Sequence, residues 1–568
     1  MNKFAEDFLV HFTGKAKVLL VALLLAGLPD PTAYAFRIDT GNSDFNIQWD
    51  NTLSYSTAFR VESQSGELID PVKNPANVNQ DDGDRNFDRG LISNRFSLFS
   101  EIDAVYKGNF GVRLSGSAWY DTVYNTDNDN DSPATANSFS VDHDEFTDDT
   151  RDLHGRDAEI LDAFAFGVWD SENTTTSIRV GQFAQQWGES LFFGNNGIAG
   201  GMAPVDVVKL LSVPNSQFKE IIRPVPQVGA QVQFGSRVSV GAYYQLDWDA
   251  TILPGAGSYF STSDTVDQGA ERLLLDQLGN AFFRGDDMDA RDSGQWGIQT
   301  RIRPGLELDL GFYAIRYHDK TPQLYVIPGV DPVLGVINPG VFDPSIGKLG
   351  EYILVYPEDI EAYGMSASKT FGDWNLATEV SMRRNMPLVS IAEPIIPAFG
   401  LNPDNDSNPA YAVGRTLHAN FSWLASFGPS FISKEASFLG EVAWNRLDSI
   451  TDNPGVLDPN TDRDALGIRM IYEPTYRQIL SGLDLSVPLG ISYFPKGKSS
   501  VVTGFGPDKG GDMTIGLAGA YLDVWRFKMS YTHYYGSEKG FLDAANHQAM
   551  KQSLGDRDFI SLSISRTF

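Results

Sequence analysis

From Phe45 to Val61 the chain alternates apolar and polar side chains with a period of two. Phe45, Ile47, Trp49, Leu53, Tyr55, Phe59 and Val61 fall on one parity, and Asn46, Gln48, Asp50, Thr52, Ser54, Ser56 and Arg60 on the other. Successive side chains of a strand point to opposite faces, so the pattern specifies one strand with an apolar and a polar face. Soluble strands average roughly 5–6 residues, and a tilted strand crosses a bilayer in about 9–11. This one is long enough to cross. Trp525, Phe527, Met529 and Tyr531 alternate in the same way with Arg526, Lys528, Ser530 and Thr532.

Eighteen such segments can be placed, near 43–61, 92–106, 109–124, 157–169, 176–186, 225–235, 237–250, 293–303, 306–318, 358–371, 374–385, 411–426, 435–448, 463–476, 479–494, 511–522, 525–535 and 557–568, with sixteen as the alternative count. Short turns such as Lys107-Gly108-Asn109, Gly235-Ser236 and Gly372-Asp373 alternate with long polar loops such as 62–91, 125–156, 251–292 and 319–357. Bacterial barrels have this asymmetry, with short periplasmic turns and long extracellular loops. The reading is all-β: a transmembrane antiparallel up-and-down β-barrel whose extracellular loops carry short helices. Its last strand ends on Phe568, which looks like the signal read by the barrel assembly machinery.

Lys3, Lys15 and Lys17 precede the apolar run Val18 to Leu28, then Pro29 and Ala33-Tyr34-Ala35. That is a cleaved signal peptide over 1–35, too short for a spanning helix, and it leaves 36–568 as a single barrel exported to a Gram-negative outer membrane. So few residues separate Phe36 from the first strand that no N-terminal plug domain is expected.

The chain has no cysteine, which removes thiolate metal sites and disulfides. Its 73 acidic against 44 basic side chains give a net charge of −29, which argues against nucleic acid. Much of this charge sits in loop 62–91, with seven acids and three bases, and loop 125–157, with ten and two. Asp127, Asp129 and Asp131 are candidates for loose divalent binding or cation bridging to lipopolysaccharide. Numbered from Asp127, an EF-hand loop would need Gly at Ser132 and Glu at Ser138, so that motif fails. No Gly-x-Ser-x-Gly, His-Glu-x-x-His or phosphate-cradling loop is present; neither an enzyme nor a cofactor is expected. His418 lies on an inward parity beside Asn420, with no serine assigned to it.

Segment 187–223 is neither strand nor plain loop. Trp187-Gly188-Glu189-Ser190 leads into Gly194, Gly197, Gly200 and Gly201, then Pro204-Val205-Asp206 and Pro214. Prolines frame one short helix, and Asn215 or Ser216 is placed to cap a second. So apolar a loop is expected to fold inward, with Trp187, Glu189, Asp206, Lys209, Lys219, Glu220 and Arg223 as pore candidates. On the inward strand parity, Glu101, Asp103, Glu307, Asp309, Glu379, Glu441 and Glu473 meet Arg113, Arg301, Arg383, Arg469 and Lys528, a mixture that predicts internal salt bridges. In the loop after the seventh strand, Leu274, Leu275, Leu278 and Phe282 share a helical face.

Gly181-Gln182, Trp187-Gly188-Glu189-Ser190, Pro204-Val205-Asp206, Lys209-Leu210, Lys219-Glu220 and Pro224-Val225-Pro226 resemble the outer-membrane family known as domain of unknown function 1302. Gln245-Leu246-Asp247-Trp248, Arg384-Asn385-Met386-Pro387 and Asp556-Arg557-Asp558-Phe559 extend the likeness to the C-terminus. The resemblance implies a setting beside export pumps of the resistance-nodulation-division type, and so traffic in apolar or amphipathic molecules. The leading expectation is a channel for such molecules, gated by 187–223 and the 269–283 helix. A general diffusion porin with Asp206 and Glu220 facing Lys209, Lys219 or Arg223, and a surface adhesin working through its acidic loops, are the alternatives.

Overall fold

The computed structural model describes residues 36–568 except 215, 306, 332–334 and 392–402. The signal-peptide segment 1–35 and the cap proposed at Asn215 lie outside the described residues.

The alternating segments become the staves of one closed antiparallel wall. In chain order they are β1 (Phe45–Arg60), β2 (Gly90–Tyr106), β3 (Phe110–Asp121), β4 (Arg156–Asp170), β5 (Thr174–Phe183), β6 (Val225–Phe234), β7 (Val238–Gln245), β8 (Trp296–Ile302) and β9 (Leu308–Tyr317). There follow β10 (Ile360–Phe371), β11 (Trp374–Pro387), β12 (Val413–Phe427), β13 (Glu435–Asp452), β14 (Asp464–Leu480), β15 (Leu483–Ser486 and Leu489–Lys496), β16 (Gly511–Tyr521), β17 (Trp525–Tyr535) and β18 (Phe559–Thr567). Each pairs with its neighbour in sequence. Stave β15 is interrupted at Val487-Pro488, because proline has no N–H for the ladder.

The wall closes where Thr52–Arg60 of β1 pair with Thr567–Phe559 of β18. Beyond the end of β18, Phe36–Ile38 pair with Trp49–Ile47 and occupy the rest of that edge. Closure removes the free edge that could not exist in hydrocarbon. On the outside, Trp49, Leu98, Val112, Ile298, Phe312, Met365, Phe421, Ile515 and Leu562 are exposed, one parity removed from inward polar neighbours. Lipid is the solvent that suits such an apolar girdle, so the barrel is transmembrane. Among the described residues no helix is long and apolar enough to cross a membrane.

The long loops pack into a crown above one rim. There, Arg272–Leu274, Ala281–Arg284, Gln323–Pro328 and Lys348–Val355 form a separate four-stranded sheet. This corrects the helix expected over 269–283. Asp276 accepts from the backbone N–H groups of Leu278 (2.9 Å) and Asn280 (3.2 Å), folding 275–280 into a tight turn. Ladder pairing with Lys348–Tyr352 then satisfies the backbone, and Leu274 is buried while Leu278 is exposed. Pairing between loops overrode the helical spacing.

Candidate functional site

Residues 184–224 join β5 to β6, and their contacts run to opposite sides of the wall. Pro204 precedes the helix α1 (Val207–Ser212), which Asp206 caps by accepting the Lys209 N–H at 2.7 Å. The second helix, α2 (Phe218–Ile221), is capped by Gln217 and Glu220 in a reciprocal box, not by Ser216.

The first arm, 188–198, is held by side chains of β11, β12 and β13. Glu379 accepts the Glu189 and Ile198 N–H groups at 2.8 and 2.6 Å. Glu441 accepts from the N–H groups of Leu191 (3.0 Å), Phe192 and Phe193 (2.9 Å), from the Ser190 hydroxyl (2.9 Å) and from the Asn420 amide (2.6 Å). Three successive N–H groups converging on one carboxylate form an anion nest. Arg383 donates to the Asn195 and Gly197 carbonyls, both at 2.8 Å. The Asn196 amide donates to Asn420 at 2.8 Å, while its oxygen accepts from Asn445 at 3.1 Å and faces Nδ1 of His418 at 3.2 Å. With that oxygen as acceptor, the proton of His418 is assigned to Nδ1, and Nε2 accepts from Thr416 at 2.8 Å. Gly188 has φ +104°, and a Cβ there would lie 2.3 Å from Glu379, so glycine is required for the carboxylate to approach.

The second arm, 206–223, is held by β2, β3 and β4. Lys209 pairs with Glu159, lies 3.6 Å from Asp206 and donates to Ser117 at 3.3 Å. Arg223 meets the other Glu159 oxygen at 2.7 Å and Asp249 at 3.7 Å. Lys219 pairs with Glu101 at 3.1 Å and lies 4.3 Å over the Phe99 ring. A cavity of about 210 Å³ opens beside this arm, lined by Arg95, Trp119, Glu159, Asp206, Lys209 and Arg223 among others. Strands β3 and β12 are nine staves apart in the closed order, half the circumference. The loop therefore crosses the lumen.

Between the arms, Trp187, Ile198 and Met202 pack with Tyr243 of β7, Tyr313, Ile315 and Tyr317 of β9, and Ile360 and Ala362 of β10. Loop 246–295 props the second arm from above, where Val207 donates to the Ile252 carbonyl at 2.9 Å and Ile252 to that of Val205 at 3.0 Å.

The other sequence candidates fall in or near this frame. Arg301 bridges Glu189 (2.7 Å) and Asp309 (3.0 Å), and Arg113 pairs with Asp103 at 2.7 Å and Glu101 at 3.9 Å. Arg469 pairs with Asp512 at 3.5 Å and lies over the Phe192 ring. Glu379, Arg383 and Glu441 meet backbone rather than opposite charges. Asp206 and Glu220 cap helices, and Asp206 also lies 3.6 Å from Lys209 of the helix it caps and lines the same cavity as Lys209 and Arg223. Asp127, Asp129 and Asp131 do not converge: Asp129 caps the Asp88 N–H and Asp131 points into solvent beside Arg85. Sequence reading missed Asn196 and Asn445; it had Gly188 in the Trp187-Gly188-Glu189-Ser190 motif and Asn420 beside inward His418, without the partners of either.

The family model described as "Protein of unknown function (DUF1302)" matches residues 16–568. No curated protein matches the chain. Among solved structures, Acinetobacter baumannii OccAB1 is 12% identical, with 95% of this chain and 99% of that one covered and a TM-score of 0.40. Acinetobacter baumannii OccAB3 is 10% identical, covering 92% and 99%, with a TM-score of 0.42. Pseudomonas aeruginosa OpdK, solved with vanillate, is 10% identical, covering 92% and 98%, with a TM-score of 0.38.

Proposed function

We propose, from the premise that this chain belongs to the DUF1302 family, that it is an outer-membrane channel passing apolar or amphipathic small molecules beneath a fixed constriction. One observation carries this reading. The ionic groups of the crossing loop are engaged by the wall or by its own caps, whereas the large side chains it leaves exposed are Leu191, Leu210, Leu211 and Phe218, the last 67% exposed. Staves β16–β18 and β1 present Thr514, Ser530, Thr532, Ser561, Ser563 and Ser54 on their inward parity. A passage between an apolar loop face and a wall rich in hydroxyls, with Lys528 beside Ser563 on the same parity, suits a solute with one apolar and one polar side.

The ties of 188–198 make the loop a constriction more than a swinging gate. Moving it would strip a buried carboxylate of its donors, and hydrogen bonds to a charged group are worth about 1.5–3 kcal/mol each. Deleting 190–215 is expected to raise single-channel conductance in planar bilayers several-fold, and an unchanged current from a folded variant overturns the constriction. Liposomes carrying the native protein are expected to take up a fatty or steroid-like probe faster than they swell in sugars. The reverse order identifies a general diffusion porin. Recognition of Phe568 by the assembly machinery, and cation-bridged contact of the acidic crown with lipopolysaccharide, belong to the same proposal.

A further inference from the structure

Beneath the surface of the crown, Asp81 and Asp82 from loop 61–89 meet Asp264 from loop 246–295. One carboxylate oxygen from each lies within 4.8 Å of the other two, and all three residues are buried, Asp81 and Asp264 fully. Oxygens that share a calcium ion at about 2.4 Å can be at most about 4.8 Å apart.

Charge balance separates this triad from its neighbours. Asp84 and Asp556, close by, are met by Arg60 at 2.6 and 3.2 Å, with Arg557 3.9 Å from Asp84. The other cluster of potential ligands among the described residues, His318, Glu358 and Asp359, is filled by Arg291 and Arg316. The triad has one cation in contact, Arg85 on Asp81 Oδ2. Its remaining donors are the Asp82 N–H to Asp264 Oδ2 (3.2 Å), the Asn137 N–H to Asp82 Oδ2 (2.9 Å) and Asn130 to Asp82 Oδ1 (3.5 Å).

Two oxygens are left over. Asp81 Oδ1 and Asp264 Oδ1 are buried and accept no hydrogen bond. The Thr135 hydroxyl lies beside Asp81 and 2.9 Å from that of Ser132. Two neutral oxygens on the adjoining loops, Asn137 Oδ1 and Ser258 Oγ, are also buried without a partner. A buried ionised carboxylate without a donor costs several kcal/mol. Burial accordingly pushes the Asp81 and Asp264 carboxyls well above the usual range.

The geometry points to a divalent-cation site, of calcium type, in which Asp81, Asp82 and Asp264 hold one ion between loops 61–89 and 246–295. Three carboxylates less one guanidinium leave two negative charges, which one Ca²⁺ neutralises. Hard oxygen donors in irregular loop geometry suit Ca²⁺ better than Mg²⁺, which demands a near-octahedral shell and retains its waters. The site does not depend on what the barrel transports.

Full-length protein folded in detergent, stripped with EDTA and desalted, is titrated with CaCl₂ by calorimetry, and calcium retained after gel filtration is counted by elemental analysis. One ion per chain is expected, together with protection of loop 61–89 from trypsin. Asp264→Asn is expected to weaken binding at least tenfold, while Asp129→Asn leaves it unchanged. Absence of calcium uptake by the native protein overturns the site, since it means the triad is held by protons alone. Equal uptake by an Asp81→Asn/Asp264→Asn variant that keeps native heat-modifiable migration overturns it as well. Should the variants not fold, the stoichiometry of the native protein decides.

Discussion

Residues 188–198 reach β11–β13 through backbone amides that find carboxylates on the wall, whereas residues 206–223 reach β2–β4 through their own charged side chains. The first arm buries Glu441 completely against backbone amides, and its one charged side chain, Glu189, turns to Arg301 at 2.7 Å. The second divides Glu159 between Lys209 and Arg223, with Lys219 partly open to solvent on Glu101. Amide-to-carboxylate ties are short and numerous and draw on the backbone, although residue 188 has to be glycine and the side chains of Ser190 and Asn196 add bonds of their own. Ion pairs depend on the loop's side-chain identities and, where exposed, on salt.

That contrast can be broken most severely at Glu441. Glu441→Ala leaves three N–H groups, the Ser190 hydroxyl and the Asn420 amide facing a buried void, an expected loss of about 3–5 kcal/mol with each stranded donor costing about 1–3. It should appear as a lower unfolding temperature and noisy, enlarged conductance. Acid should act on the other side. His154, just before β4, is buried against Tyr124 and accepts the Gly255 N–H at 3.1 Å. Burial holds its pKa down to about 3, against the ordinary 6.5. The unfolded chain therefore binds the extra proton between those values, so stability is kept above pH 6.5 and falls, by up to about 4 kcal/mol, as pH drops toward 3. Protease sensitivity of loops 122–155 and 246–295 should rise over that window, and His154→Gln should flatten the dependence.

Glu159→Gln sharpens the contrast at lower cost. It unpairs Lys209 and Arg223 from a carboxylate, with an expected loss of about 1–3 kcal/mol. Reversal potentials in a salt gradient should shift toward anions, while the 188–198 arm stays docked. The smallest effect is expected from Lys219→Met. Its pair with Glu101 is open only at the lysine end, and Glu101 keeps Arg113 at 3.9 Å, so the expected loss is about 1 kcal/mol and should shrink in high salt. A shift in unfolding temperature as large as that of Glu441→Ala would erase the distinction between the arms.

The wall was legible because the apolar and polar parities of staves such as β1 and β17 leave little choice of fold. Glu379, Arg383 and Glu441 could also be placed inward, by parity alone. Their partners could not be read, because a backbone N–H carries no residue signature and any loop sequence supplies one. The same blindness hid the Asp81–Asp82–Asp264 group, whose members are joined only when two loops fold over one rim. At 271–283 a local helical spacing competed with pairing to Lys348–Val355, a strand distant in sequence, and distance hid the winner.

The Glu441 nest also has a consequence in time. Ser190 and Glu441 are 251 residues apart, and Glu189 and Glu379 are 190 apart. The loop leaves the ribosome long before the staves that receive it. A one-residue slip in β13 would turn Glu441 outward toward lipid and strand the amides of 191–193. Docking of the first arm thus reports on whether the distant half of the wall has been built in the correct register, while the second arm, held by staves made before it, does not.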